Sequence, residues 1–349
     1  MFPLIFLSSL ASIALVGTMF DLWGDDNVDD TLEDVDNGDG FALLDDSLPA
    51  TLQAGALEEI EAGAGVIDAE AVRSDYAPTG SVEIEGTDGD DFIDAGLDVA
   101  VTFGGAGDDV IFGADHDQVI FGDAGDDVLF AEGGADQVHG DDGDDTLVGG
   151  DGADLLVGGQ GADVVYGGAG DDTIYTAHVY QTDVAPNTFD VVAAGAGDDQ
   201  IYVSQGAALV ALGEGADDVL IHSDFGAQDN DPVAVITDFD ADEDQIVLGV
   251  HAPDFVFADG TTTLEISYTM TQIETSAGMA TLIVPAVDDE SLLATLEGAS
   301  IGHAVLVGVT PDDIQDGNVR VIVTNDDSPR MANDSIHTLF DAQSNGAGL

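Results

Sequence analysis

The sequence contains no cysteine and no lysine, and its only basic side chains are Arg73, Arg320 and Arg330. Without cysteine there are no disulfides, thiolate metal sites or cysteine nucleophiles. Against the three arginines stand 72 Asp and Glu, giving a formal net charge of −69. So few cations exclude binding to nucleic-acid phosphates and attraction to anionic lipid headgroups. Aromatic residues are scarce at 6%, yet hydrophobic residues reach 44%. That is too apolar for a wholly disordered acidic chain. The carboxylates must be neutralised or separated when the chain compacts. Divalent cations are the obvious candidate.

Composition divides the chain into five parts. Residues 1–20, MFPLIFLSSLASIALVGTMF, carry no charged side chain and are long enough to span a bilayer as a helix. They read as a membrane anchor or an export signal, and no basic residue flanks them to set an orientation. Residues 21–80 hold seventeen acids and one Arg, the signature of a disordered, self-repelling spacer. Leu57, Ile60, Val66 and Ile67 there would at most give a short helix. The stretch at 34–40, DVDNGDG, begins like an EF-hand loop but fails because Gly38 and Asp39 break the ligand order. A repeat region at 81–225, a β-rich C-terminal region at 226–330 and a polar tail at 331–349 follow.

From Gly86 the chain repeats every nine residues, as in GGAGDDVIF (104–112), GDAGDDVLF (122–130), GDDGDDTLV (140–148) and GGAGDDTIY (167–175). The phase holds for fifteen nonads, residues 86–220. Glycines at positions 1, 2 and 4 permit a tight turn. Position 6 carries a carboxylate. Position 8 is aliphatic within a short β run, with only Thr102 and Asp183 breaking the series. Two nonads close one coil, and stacked coils would bury one inward side chain per strand.

This pattern resembles the hemolysin-type, or RTX, calcium-binding nonapeptide repeat GGxGxDxUx. The resemblance implies an all-β fold: a right-handed parallel β-roll with Ca²⁺ between turns, closed by a β-rich C-terminal capping domain. Ca²⁺ takes six to eight oxygens from carboxylates and carbonyls, and this sequence supplies both. With 18 residues per coil, one edge carries Asp91, Asp109, Asp127, Asp145 and Asp163, then Gln181, then Asp199 and Asp217. The other has Ala100 and Gln118, then Asp136, Asp154, Asp172 and Asp190, then Ala208. Backbone carbonyls around Gly107, Gly125, Gly134, Gly143, Gly152, Gly161, Gly170 and Gly197 complete the expected ligand set. Pairing neighbours (91/109, 109/127, 127/145, 145/163, 136/154, 154/172, 172/190 and 199/217) gives about seven or eight ions. The extra acids at position 5 (Asp108, Asp126, Asp144, Asp171 and Asp198) read as solvated charge or outer-shell groups rather than direct ligands. Residues 176–193 lose their glycines, and a distorted coil with Pro186 in a turn is expected there.

Phe103, Phe112, Phe121, Phe130, Tyr166 and Tyr175 point outward, either stacking between strands or forming a face for self-association. Beyond residue 231, β runs are expected at 233–250, 261–269, 280–287, 303–309 and 319–324. Asp238, Asp240, Asp242 and Asp244 read as a solvated turn. Gly298–Gly302 matches GxSxG, but it lacks the strand-turn-helix context of a nucleophile elbow. HExxH is absent, so the zinc-protease activity found in this family is unsupported. The expectation is a secreted or cell-surface protein, extracellular, non-catalytic, folding on Ca²⁺. Export by type I secretion is implied by the resemblance. The alternatives are a secreted hydrolase acting through its C-terminal region, with Ser300 as nucleophile, and a membrane-tethered spacer held by residues 1–20.

Overall fold

The computed structural model describes residues 65–68, 82–96, 99–177, 189–204, 206–222, 233–251, 263–275, 278–286 and 302–324. Residues 1–64, Pro186, Ser300 and the tail 331–349 lie outside them. Among the described residues every regular element is a strand. The first eleven are β1 (Gly65–Asp68), β2 (Val82–Glu85), β3 (Asp91–Asp94), β4 (Val99–Ala106), β5 (Val110–Asp115), β6 (Val119–Ala124), β7 (Val128–Gly133), β8 (Gln137–Asp142), β9 (Thr146–Asp151), β10 (Leu155–Gln160) and β11 (Val164–Ala169). The rest are β12 (Thr173–Ala177), β13 (Phe189–Ala196), β14 (Gln200–Val203), β15 (Ala207–Glu214), β16 (Asp218–His222), β17 (Val233–Ile236), β18 (Gln245–His251), β19 (Thr263–Thr275), β20 (Gly278–Ala286), β21 (His303–Val307) and β22 (Val319–Thr324). No described helix is long and apolar enough to cross a membrane.

Odd strands β1 to β17 stack in parallel as one sheet, and even strands β2 to β18 as the other. The fold is therefore a parallel β-roll. Position 8 explains it. Ile93, Ile111, Leu129, Leu147, Val165, Val192 and Val210 form one inward column in direct register. Ile84, Thr102, Ile120, Val138, Leu156, Ile174, Ile201 and Val219 form the facing column. All are fully or almost fully buried. Thr102, the polar exception, is buried with them.

One step departs from the expected spacing. Val165 pairs with Val192 and Ile174 with Ile201, offsets of 27 residues rather than 18. Of the distorted coil expected over 176–193, residues 178–188, with Pro186, lie outside the described set. The core supplies the reason. An 18-residue step would set Asp183 inward beside Val165, burying an unpaired charge. The longer step brings Val192 there instead. It also overturns the expected pair 172/190: Asp163 now lies against Asp190 and Asp172 against Asp199.

The sheets do not stop where the nonads end. β17 and β21 extend the odd sheet, and β18 and β22 the even one. The hairpin β19–β20 then pairs antiparallel with both final strands, β20 on β21 and β19 on β22. Ile266, Tyr268 and Met270 pack onto the end of the core. The open end of a stacked array would expose apolar side chains and free strand edges, and this hairpin covers both. At the other end, Val66 and Ile67 lie in β1, paired with β3, and not in a helix.

The outward aromatics stack in register. Phe103 and Phe121 lie 5.0 Å apart and 6° from parallel, and Phe112 and Phe130 match them at 5.0 Å and 7°. Tyr175 and Tyr202, brought together by the 27-residue step, are 4.4 Å apart. Cross-strand stacking accounts for these side chains.

Leu147 sits mid-column with no exposure. Leu147→Ala is expected to destabilise the calcium-saturated protein by about 2–5 kcal/mol, measured by chemical denaturation. A loss under about 0.5 kcal/mol, the range of surface changes, would contradict the close-packed column.

Candidate metal centre

Each position-6 residue follows a glycine turn at one edge of the roll. Successive coils bring these residues into two ladders. The first is Asp91, Asp109, Asp127, Asp145, Asp163 and Asp190. The second is Gln118, Asp136, Asp154, Asp172, Asp199, Asp217 and Asp244. Within each ladder the backbone N–H of one member donates to Oδ1 of the next, at 2.7–3.1 Å. Every ladder aspartate is buried. The 27-residue step brings Asp190 to the first ladder where the 18-residue spacing would have placed Gln181, and Asp199 to the second; Ala208, paired with Asp190, then ends the acids of the first ladder. It also moves Asp199 and Asp217 to the other edge from the one expected.

The second carboxylate oxygen is the informative one. Oδ2 of Asp109, Asp127, Asp136, Asp145, Asp154, Asp172, Asp199 and Asp217 is buried and accepts no hydrogen bond. Buried carboxylate oxygens without partners are costly. These oxygens do not stand alone. A Cβ built on Gly122 would strike both Asp127 Oδ2 and the Gly140 carbonyl oxygen, and one on Gly104 both Asp109 Oδ2 and the Gly122 carbonyl oxygen. An acidic oxygen and a carbonyl oxygen therefore converge beside each such glycine. This is the donor set of a hard cation. Among the described residues no three His, Asp or Glu side chains cluster as a metal site. A cation here would take the balance of its ligands from the backbone.

Position 4 supplies further carbonyls. Gly143 has φ 154°, and a Cβ built on it would collide with the Gly125 carbonyl oxygen. The carbonyls of Gly107, Gly134, Gly152, Gly170 and Gly197 are stacked in the same way beneath the next coil. At position 2, where turns such as those at Gly150, Gly159 and Gly168 have glycine, Asp123, Glu132 and Asp141 take positive φ of 72–75°.

Burial makes the ladder hard to ionise without a cation. Desolvation pushes Asp127 up to about 8, and Asp136, Asp145, Asp172 and Asp217 up to about 7. Asp109 and Asp199 rise to about 6. The backbone N–H donated to each carboxylate opposes the shift, and neighbouring carboxylates add to it.

The position-5 acids are exposed, but they are not simply solvated. Oδ1 of Asp90, Asp108, Asp126 and Asp144 accepts the N–H of the position-5 residue on the next coil, at 2.8–3.2 Å. Asp171 and Asp198 do the same. This outer ladder runs in the opposite sense to the buried one.

The ladder ends are built differently. Asp91 Oδ2 accepts both the N–H and the hydroxyl of Thr87, at 2.6 and 2.8 Å. Asp244 Oδ2 accepts the Asp240 N–H at 2.7 Å. Asp244 corrects the reading of 238–244 as a solvated turn. It is buried and continues the second ladder, while Asp238, Asp240 and Asp242 remain exposed. Asp238 reaches back to the N–H groups of Leu212 and Gly213. A signal was present: Asp244-Gln245-Ile246 repeats Asp199-Gln200-Ile201.

Residues 79–99, 103–129, 112–147, 148–177 and 187–219 match the family model of the RTX calcium-binding nonapeptide repeat. The match breaks across the 27-residue step and ends before Asp244. No curated protein matches the chain.

The raised carboxyl values set a pH dependence. A carboxyl that is a weaker acid folded than unfolded favours the fold at low pH and loses that contribution as pH rises through its folded value. The metal-stripped chain should therefore favour the fold more at pH 5 than at pH 8, the contribution fading from the ordinary carboxyl value of 3.8 up to the folded values of about 6 to 8. Far-UV circular dichroism in chelator across that range tests this, and a β signal that grows as pH rises would contradict it.

Proposed function

Since residues 79–219 form an array of RTX calcium-binding nonapeptide repeats, we propose that this chain is a non-catalytic calcium-binding β-roll protein, secreted or held at the cell surface, that folds as it binds several Ca²⁺ ions. The unpartnered, buried Oδ2 atoms of the two ladders carry this reading. Asp109, Asp127, Asp136, Asp145, Asp154, Asp163, Asp172, Asp190, Asp199 and Asp217 would hold the ions with the adjacent turn carbonyls. Bound Ca²⁺ supplies charge neutralisation between coils. The chain's own residues do the rest. Oδ1 fixes each carboxylate to the preceding coil, the glycines admit the carbonyls, and the aliphatic column excludes water from one side of each turn.

Such sites exist only in the stacked array, so binding free energy is folding free energy. Extracellular modules bind Ca²⁺ at about 10⁻⁴–10⁻³ M. A chain tuned to that range stays unfolded in a low-calcium cytosol and folds after export.

Far-UV circular dichroism of the full chain during a Ca²⁺ titration tests the proposal, with Mg²⁺ as control. A cooperative rise in β signal with Ca²⁺ alone is expected. A chain already β-structured in chelator and indifferent to Ca²⁺ would overturn it. Asp145→Asn should lower the number of ions bound by at least one per chain, while Asp144→Asn on the outer ladder leaves it unchanged. Equal effects of the two, read by calorimetry, would remove the distinction between the ladders.

A further inference from the structure

The first member of the second ladder is an amide. Gln118 occupies position 6 and its N–H donates to Asp136 Oδ1 at 2.7 Å, as an aspartate's would. One coil earlier Ala100 stands in the ladder position, so no carboxylate precedes it. Gln118 Oε1 lies where Oδ2 lies elsewhere. A Cβ on Gly113 would strike it together with the Ala131 carbonyl oxygen. Unlike Oδ2, this oxygen is satisfied, accepting the Ala114 N–H at 3.0 Å. The amide nitrogen then donates to the Val99 carbonyl at 3.0 Å.

A second donor reaches the same carbonyl. His116 stands at position 4, where the neighbouring turns have glycine, and its Nε2 donates to the Val99 oxygen at 2.8 Å. The sequence has thus exchanged Gly-x-Asp for His-x-Gln at a single turn. The exchange replaces a turn that presents bare oxygens with one that brings its own N–H donors. An N–H satisfies a carbonyl oxygen as a cation does, without needing a carboxylate to balance charge.

We propose that His116 and Gln118 together are a built-in substitute for a cation, closing the first coil of the second ladder without metal. This rests on the reading of the other turns as Ca²⁺ sites. The substitution sets where metal dependence begins on this edge: Asp136 and the acids beyond it need the ion, and the coil from Val99 to Gln118 does not. On the opposite edge the Thr87 clasp on Asp91 does the same work.

The double change His116→Gly with Gln118→Asp restores the repeat at this turn and should bind one more Ca²⁺ per chain than the parent. Ions are counted by native mass spectrometry and calorimetry on the full chain, and folding at saturating Ca²⁺ by circular dichroism. An unchanged count in a folded variant overturns the inference. A variant that stays unfolded in saturating Ca²⁺ overturns it too, because a turn that accepts either closure must hold with the ion. A parent that binds no Ca²⁺ removes instead the reading on which the inference stands. The single change Gln118→Leu, with no donor and no charge, separates packing from closure. It should loosen this turn in the calcium-saturated protein, seen as faster hydrogen exchange at the Ala114 amide, and leave the ion count unchanged.

Discussion

A carboxylate with one oxygen committed and one uncommitted is the constraint on which this structure depends. Oδ1 of each ladder aspartate is taken by the preceding coil's backbone, which locks the turn into the stack. Oδ2 is buried with carbonyl oxygen for company. Stacked turns therefore concentrate negative charge and dipole at two edges, and nothing in a chain with three arginines can offset it. Packing alone does not remove that cost. The core is two columns of one aliphatic side chain per strand, widened at position 1 only by residues such as Ala131, Ala194 and Leu212, a thin core to set against two rows of buried acids.

The ends follow from the same constraint. Where an aspartate would have no neighbour on one side, its Oδ2 finds donors within its own turn: Asp91 takes the N–H and hydroxyl of Thr87, and Asp244 the N–H of Asp240. The β19–β20 hairpin completes the C-terminal end by covering the last strands of both sheets. Array and cap are joined through the ladder as well as through the sheets, because Asp244 is held by the Asp217 N–H.

Much of this is legible in the sequence, since each nonad states its own local chemistry. Position 8 names the core, position 6 the ladder, and glycine at 1 and 4 the turns. What escapes is the step at 163–190. A spacing of 27 keeps the nine-residue phase as well as 18 does, so periodicity cannot choose between them. Asp183, at a position meant for an aliphatic residue, marks the nonad that the core rejects. Asp244 escapes for a different reason. Its ladder role needs only the Asp-Gln-Ile run after the turn, while the glycines that announce other members are missing. Gln118 is visible as a gap in the acids, but the hydrogen bonds that make it a closure depend on where Val99 lies.

The nine-residue period of the sequence and the eighteen-residue period of the coil have a consequence for how such a chain can change length. Adding or removing one nonad preserves every local motif yet transfers everything downstream to the opposite edge. Adding two restores the original sides. The roll thus has a parity, and a single-nonad change is silent only where both edges carry acids on either side of the join. At residues 163–199 this chain has that property: Asp163 meets Asp190 and Asp172 meets Asp199 without a break. The excursion is a change of parity that the two edges absorb because, chemically, they are interchangeable.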